Sequence, residues 1–196
     1  PLIIQDDTQY VGISVNYSGQ IIPAITLAAL IKKAFSRVKI IFGGSLFPAY
    51  ANKISALNIF AEYSDALIIY AGEYPWNNII EYDTLDYIPG CMRSNGHSFI
   101  HNNLPLPQIK RALPDFSDYS LQRYLVPHNI LPYAMSIGCY WGKCSFCGYQ
   151  SYKDICVKRY AQNDIDLGNY VFDHLYRLYT IYGVENFYFV DEAMTA

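Results

Sequence analysis

Three cysteines close together form the part of the sequence best suited to chemistry. Cys139, Cys144 and Cys147 fall within nine residues and follow a C-x4-C-x2-C spacing. A C-x2-C pair on a tight turn can direct two thiolates at one metal centre, and a third cysteine a few residues earlier can complete the set. The flanking glycines let the backbone fold closely around such a centre. Three thiolates would leave one iron of a cubane cluster without a protein ligand, and a catalytic cluster needs that open position.

The spacing alone leaves other interpretations open. A structural zinc site would need a fourth ligand, which Cys156, Cys91 or His97 could provide. Cys144 and Cys147 alone could form a thioredoxin-like dithiol, or all three thiols could be buried and without a ligand. The odd total of five cysteines argues against a disulfide framework. Clustered thiols outside such a framework indicate a reducing compartment, so we expect a cytoplasmic location.

The composition limits the class of protein. Of the 196 residues, 52% are hydrophobic and 16% are charged, a balance typical of globular chains. The net charge of −3 argues against nucleic acid as a partner, because a phosphate-backbone binder usually has a basic face. No apolar stretch is long enough to span a bilayer, so a membrane partner is not expected either. The chain lacks an initiator Met and stops after a strand-like run, so we expect it to be a piece of a longer protein.

The elements that must position the cysteines begin with alternating strands and helices. Short apolar, β-branched runs predict strands, and apolar residues at helical spacing predict helices, with Lys32 and Lys33 facing water. The strands are expected over 10–15, 38–42 and 66–70, and the helices over 23–35 and 48–62. This order predicts an α/β fold, in which a parallel sheet with right-handed crossovers forms a Rossmann-like half-domain.

The pattern changes after residue 87. Asn95-Gly96 between extended runs over 88–93 and 97–100 predicts a hairpin. Five prolines between residues 102 and 132 exclude a regular helix or a central strand. We therefore expect an ordered linker, held in place by apolar and aromatic side chains. These are Phe116, Tyr119, Leu121, Tyr124 and Leu125.

A second domain is predicted to contain the cysteine loop. A strand over 133–137 runs into the loop, a helix follows over 164–182, and a strand over 186–190 ends at Asp191 and Glu192. This is one βαβ unit of a barrel or an open sheet, in which active groups lie at the carboxyl ends of the strands. The predicted divisions are a partial Rossmann-like domain over 1–87, a hairpin and linker over 88–130, and a second domain over 131–196.

The cysteine loop resembles the cluster-binding loop of the radical S-adenosylmethionine (SAM) superfamily. The resemblance is carried by Gly-Cys-Tyr-Trp-Gly-Lys-Cys from position 138 and by Phe146, the aromatic residue directly before the last cysteine. The common spacing in that superfamily is C-x3-C-x2-C. The extra residue here is similar to a subset in which the radical SAM barrel follows a cobalamin-binding domain. The words Pro114-Asp115-Phe116 and Phe-Tyr-Phe-Val-Asp-Glu from position 187 resemble that subset as well.

The resemblance implies a set of cofactor contacts in the second domain. The three cysteines would hold a 4Fe–4S cluster whose open iron chelates SAM, with Phe146 close to the site. In the wider superfamily a Gly-Gly-Glu motif at the end of the second barrel strand contacts the SAM amino group. The glycines are missing here, so either Asp191 or Glu192 has that role or one of them caps a following helix.

The first half resembles the back part of a cobalamin-binding domain. Ser14 lies at the position of a Ser-x-Leu motif, although Asn16 replaces the leucine. Gly43 and Gly44 lie where that family has a Gly-Gly pair beside the nucleotide tail of the cofactor. The same pair could also be a plain strand-to-helix turn. The histidine that ligates cobalt in many members would lie upstream of Tyr10.

The implied activity is that of a radical SAM enzyme. Its reduced cluster would cleave SAM to a 5′-deoxyadenosyl radical, with electrons from an external donor such as flavodoxin or ferredoxin. If cobalamin is bound, the resemblance implies C-methylation or a related radical modification of a small molecule or peptide. A zinc-binding interaction module and a non-catalytic cobalamin carrier are the alternatives. A radical SAM barrel needs several βα units, so we expect this piece alone to be inactive.

Overall fold

The chain forms two compact units that divide between Pro107 and Gln108. A computed structural model of the chain describes residues 4–5, 7–50, 54–69, 71–100, 104, 112–135, 143–146 and 164–191. Helices and strands occur in both units, which confirms the predicted α/β class. Within the described ranges, no helix combines the length and the apolar character needed to cross a membrane.

The first unit is built on a mixed sheet of five strands. The strands lie side by side in chain order: β1 (Tyr10–Ser14), β2 (Lys39–Gly43), β3 (Ala66–Ile68), β4 (Cys91–Ser94) and β5 (Phe99–Ile100). The first three are parallel, as predicted. The predicted hairpin forms β4 and β5, and β4 pairs antiparallel with β3. The hairpin, which the sequence groups with the linker, is therefore part of this sheet.

Helices cover both faces of the sheet. Successive strand side chains point to opposite faces, so Phe42 of β2 packs with α1 (Ile21–Ala34) and α2 (Asn58–Ala61). Its neighbour Ile41 packs on the other face with Ile79 of α3 (Glu73–Tyr82). The sheet is thus enclosed between two apolar clusters, and its carboxyl edge carries the loops after β1 and β2.

Two helices differ from the prediction. The helix predicted over 48–62 is replaced by short 3-10 turns at Phe47–Tyr50 and Ile54–Leu57, followed by the single turn of α2. Helix α3 was not predicted, because Pro75 suggested a turn. Pro75 lies in the first helical turn, where the missing N–H costs no hydrogen bond, so the helix accommodates it.

Lys32 faces water only in part, whereas the prediction placed it in water without a partner. Its Nζ lies 2.5 Å from Oδ2 of Asp65, and the two side chains are only 30% and 21% exposed. The same carboxylate oxygen accepts the Ile40 N–H at 2.8 Å. Asp65 therefore connects α1 to β2 from a position directly before β3.

Replacing Asp65 with alanine is expected to lower the free energy of unfolding of the first unit by about 2 kcal/mol, because Lys32 and the Ile40 N–H both lose their partner. Urea unfolding can be followed by Trp76 fluorescence in a Trp141→Phe background, since the chain has only these two tryptophans.

The exposed pair of Asp86 and Arg93, at 2.8 Å, provides a matched control for the Asp65 variant. Removing the Asp86 carboxylate is expected to cost less than about 1 kcal/mol, as is usual for a surface ion pair. Equal losses in Asp65→Ala and Asp86→Ala would contradict the connecting role of Asp65.

The second unit contains a parallel strand pair joined through a helix. Strand β6 (Ile130–Tyr133) pairs with β7 (Asn186–Phe189), and α4 (Asp164–Tyr182) lies between them in the chain. Apolar side chains of β6 and α4 form its core. The strand expected over 133–137 begins and ends earlier than predicted, and it contains Pro132. Proline is tolerated here because its side chain is exposed and β6 has one partner among the described strands.

The proline-rich segment before β6 packs on the second unit. Phe116 and Leu121 contact its apolar core, so the predicted anchoring of the linker is confirmed for these two residues. The prediction is wrong for Leu125, whose side chain is fully exposed. Leu125 lies two residues after the 3-10 turn Leu121–Arg123.

One hydroxyl group fastens this segment to the end of α4. The Tyr182 hydroxyl accepts the Phe116 N–H at 2.8 Å and donates to Oδ1 of Asp115 at 2.9 Å. Hydrogen bonds from Ser117, together with the one from Tyr182, hold the pKa of the Asp115 carboxyl below its usual range. The Pro114-Asp115-Phe116 motif thus has a structural role in the second unit.

Candidate functional site

The cysteine loop follows β6 in the chain. Of its three cysteines, Cys144 is described and is partly buried, whereas Cys139 and Cys147 lie outside the described residues. Ser145 and Phe146 form a turn directly after Cys144, as a C-x2-C pair needs in order to present two thiolates to one centre. Among the described residues, which include Cys144 but neither Cys139 nor Cys147, no three His, Cys, Asp or Glu side chains lie close enough to hold a metal ion.

Phe146, the predicted cofactor contact of the loop, has a ring that is 91% exposed. A fully exposed phenylalanine at a turn contributes nothing to the core of the unit. Its ring is therefore accessible from solvent.

Asp191 lies at the carboxyl end of β7, beside the chain that enters the cysteine loop. The backbone ladder continues one residue past the strands, because the Val190 N–H donates to the carbonyl oxygen of Tyr133 at 2.9 Å. Beyond it, Oδ2 of Asp191 accepts the Met135 N–H at 3.0 Å. Glu192, the other predicted acidic residue, lies outside the described residues. The structure therefore brings Asp191 to the first residues of the loop.

A buried histidine supports the same strand end, and the sequence did not indicate it. His174 on α4 is 5% exposed, and its Nδ1 lies 3.1 Å from the hydroxyl of Tyr133, the last residue of β6. The Tyr170 ring lies 4.1 Å from the His174 ring, centroid to centroid. Position 174 shares the apolar face of α4 with Val171 and Leu178, and that spacing was the available signal. This hydrogen bond connects the end of β6 to α4.

A second candidate site lies at the carboxyl ends of β1 and β2 in the first unit. Ser14 pairs with Gly43 in the ladder, and the Val15 N–H donates to the Gly43 carbonyl oxygen at 2.7 Å. The predicted residues Ser14, Gly43 and Gly44 therefore lie together at one edge of the sheet.

The two glycines of this site differ in what they require. Gly44 has a φ of +117°, and a Cβ at this position would lie 2.6 Å from the Val15 nitrogen and would overlap the Val15 carbonyl. At Gly43 a Cβ would come no closer than 3.8 Å to the Ile68 carbonyl oxygen. Backbone packing against Val15 thus accounts for Gly44 without any cofactor, and Gly43 has room for a side chain.

Asn16 joins the two loops of this edge, and the sequence did not indicate that role. Its Oδ1 accepts the Ser45 N–H at 3.0 Å, and its Nδ2 donates to Oγ of Ser14 at 3.3 Å. Its own N–H donates to Oε1 of Gln20 at 2.8 Å. The usual preference of asparagine for turns, where its side chain bonds nearby backbone, was the available signal.

Two of the residues considered as a fourth zinc ligand belong to the first unit. Cys91 is 1% exposed and packs in the apolar cluster of Ile41 and Ile79. Burial, assisted by the charge of Asp86, raises the pKa of Cys91 to about 12. The thiol of Cys91 is thus enclosed by apolar side chains of the first unit. His97 is exposed in the hairpin turn, and Cys156 lies outside the described residues.

The chain matches no protein-family model and no curated protein. A functional assignment consequently depends on the α/β fold and on the residues gathered at the strand ends.

Proposed function

We propose that this chain is part of a radical SAM enzyme in which Cys139, Cys144 and Cys147 hold a 4Fe–4S cluster. The observation that carries the proposal is the C-x4-C-x2-C loop directly after β6, a strand paired in parallel with β7. Active groups of βα folds gather at the carboxyl ends of such strands. When bound, the cluster would supply the electron that cleaves SAM to a 5′-deoxyadenosyl radical.

The donor set of the loop is suited to this cofactor. Thiolates are the ligands that iron–sulfur clusters use, and three of them leave one iron open to a small molecule. The partly buried Cys144 followed by the exposed Phe146 supports a centre at the surface of the unit, where an aromatic ring can contact the bound molecule.

The βαβ arrangement of the second unit supports its assignment as the start of a radical SAM barrel. Parallel strands need a crossover connection, and α4 provides it between β6 and β7. Further strands could be added beside this parallel pair in the same way. The residues of this chain would contribute binding, orientation and exclusion of water, and an external donor such as flavodoxin or ferredoxin would reduce the cluster.

We further propose that the first unit is a Rossmann-like, cobalamin-binding part of the enzyme. Its support is the placement of Ser14, Gly43 and Gly44 at the carboxyl edge of the parallel strands, where α/β sheets bind cofactors. The close approach of the Val15 backbone already explains why position 44 is glycine. Contact with cobalamin is therefore best tested at Ser14 and Gly43. The parent enzyme would then carry out C-methylation or a related radical modification of a small molecule or peptide.

Anaerobic reconstitution of the chain with iron and sulfide tests the proposal. We expect a brown protein that contains iron and sulfide in equal amounts, because each corner of a cubane cluster is one or the other. A colourless protein that retains one tightly held zinc ion would rule out the cluster and would favour the zinc-binding interaction module. Uptake of cobalamin by a protein that binds no iron–sulfur cluster would favour the alternative of a non-catalytic cobalamin carrier.

A further inference from the structure

We propose that Asp191 is a positioning residue, which holds the start of the cysteine loop through the backbone of Met135. This inference rests on the proposed function and deepens it. The resemblance places Asp191 among the candidates for contact with SAM, whereas the geometry assigns its carboxylate a different task.

The bond between Asp191 and Met135 extends the strand pair by one step. The last backbone bond between the strands runs from Val190 to Tyr133. Two residues beyond Tyr133, the Met135 N–H meets Oδ2 of Asp191 at 3.0 Å in a partly buried setting. The side chain thus takes the place that a carbonyl oxygen of β7 would have in a longer strand. Hydrogen bonds to a charged acceptor are about twice as strong as neutral ones.

The position of Met135 constrains the first cysteine. Met135 precedes Cys139 by four positions, and four residues reach roughly 14 Å at most. Fixing the Met135 backbone therefore fixes the described end of the segment that leads to Cys139. The Tyr133 hydroxyl also bonds to the buried His174 of α4. The end of β6 is therefore held by α4 as well as by Asp191. Groups that orient metal ligands influence the stability of a metal centre, and we infer a weaker effect of the same kind from a group that holds the chain leading to the first cysteine.

Two substitutions separate this task from a contact with SAM. A contact with the ammonium group of SAM needs the negative charge of Asp191. The bond from the Met135 N–H needs only an oxygen acceptor. Asp191→Asn keeps an oxygen at nearly the same place without the charge, and Asp191→Leu keeps the volume without an acceptor. The exposed carboxylate of Asp173, which faces Arg177 at 4.0 Å on α4, provides the control variant Asp173→Leu.

The first measurement is amide hydrogen exchange at Met135 in the protein without cluster. Asp191→Leu is expected to speed exchange about tenfold, in keeping with loss of a hydrogen bond to a charged group. Asp191→Asn, which keeps an acceptor without the charge, should speed exchange clearly less than Asp191→Leu, and Asp173→Leu should not change the rate. If the leucine variant does not fold, Asp191→Ala removes the acceptor without adding bulk. Exchange at Met135 that is the same in wild type and in the variants without an acceptor would overturn the inference.

The second measurement is made on the reconstituted protein. Cluster loss to an iron chelator should be about tenfold faster in Asp191→Leu, as for other groups that orient metal ligands. The electron paramagnetic resonance spectrum of its reduced cluster should shift, and Asp191→Asn should change both properties clearly less than Asp191→Leu does. An asparagine variant that loses SAM binding as fully as the leucine variant would show that the charge matters, and would overturn the inference. A wild-type protein that takes up no cluster would overturn the proposed function, independently of the exchange result.

Discussion

Cys144→Ala is expected to leave the reconstituted protein colourless and almost free of iron. The substitution removes one of three protein ligands, and two thiolates cannot hold a cubane cluster against dissociation. The effect should be large, because Cys144 is the first cysteine of the C-x2-C pair and is followed directly by the turn at Ser145 and Phe146. Absorption spectra and iron analysis after anaerobic reconstitution measure it directly.

Cys91→Ala provides the matched control for this experiment. Cys91 lies in the core of the first unit, with its thiol buried and its pKa raised to about 12. Its removal should leave the iron content unchanged and cost about 1 kcal/mol of stability through a small cavity. Iron binding that survives Cys144→Ala would show that the loop is not the cluster site. Metal loss in Cys156→Ala, with zinc in place of iron, would favour a four-ligand zinc site.

Gly44→Ala is expected to destabilise the first unit by about 3 kcal/mol, from backbone strain at positive φ together with overlap against Val15. Gly43→Ala should change stability by less than about 1 kcal/mol, since its added methyl group meets only ordinary contacts. Urea unfolding followed by Trp76 fluorescence, in the Trp141→Phe background, compares the two variants.

The glycine pair also distinguishes a fold requirement from a cofactor requirement. If Gly43→Ala lowers cobalamin affinity while stability is unchanged, the methyl group at position 43 must obstruct the cofactor. Equal losses of stability in the two alanine variants would contradict the conclusion that packing requires glycine at position 44 but not at position 43.

Much of the fold could be predicted, because local patterns report which residues are buried. The apolar runs around Ile41 and Leu67 gave the parallel strands, and Asn95-Gly96 gave the hairpin. Where prediction failed, the deciding partner was distant in the chain. Lys32 was expected in water because its partner, Asp65, lies 33 positions away and cannot be inferred from the neighbouring sequence.

In the candidate site, too, topology could be predicted from the sequence, whereas contacts between residues distant in the chain could not. Parallel strands place their carboxyl ends at one edge, so the approach of Asp191 to the cysteine loop follows from topology. The bond from Asp191 to Met135 joins residues 56 positions apart and could not be predicted, because it depends on where β6 and β7 end. His174 was overlooked for a related reason, since burial of a polar residue becomes reasonable only once Tyr133 is seen beside it.

The attachment of the linker at Tyr182 determines where a separately expressed second unit has to begin. A polypeptide started at residue 131 would omit Asp115 and Phe116, and the Tyr182 hydroxyl would lose both of its bonds. It would also uncover the apolar surface that Phe116 and Leu121 shield. A polypeptide that starts upstream of Leu113 retains these contacts. For dissection of the protein into parts, the portion of the proline-rich segment from Leu113 onward therefore belongs with the second unit.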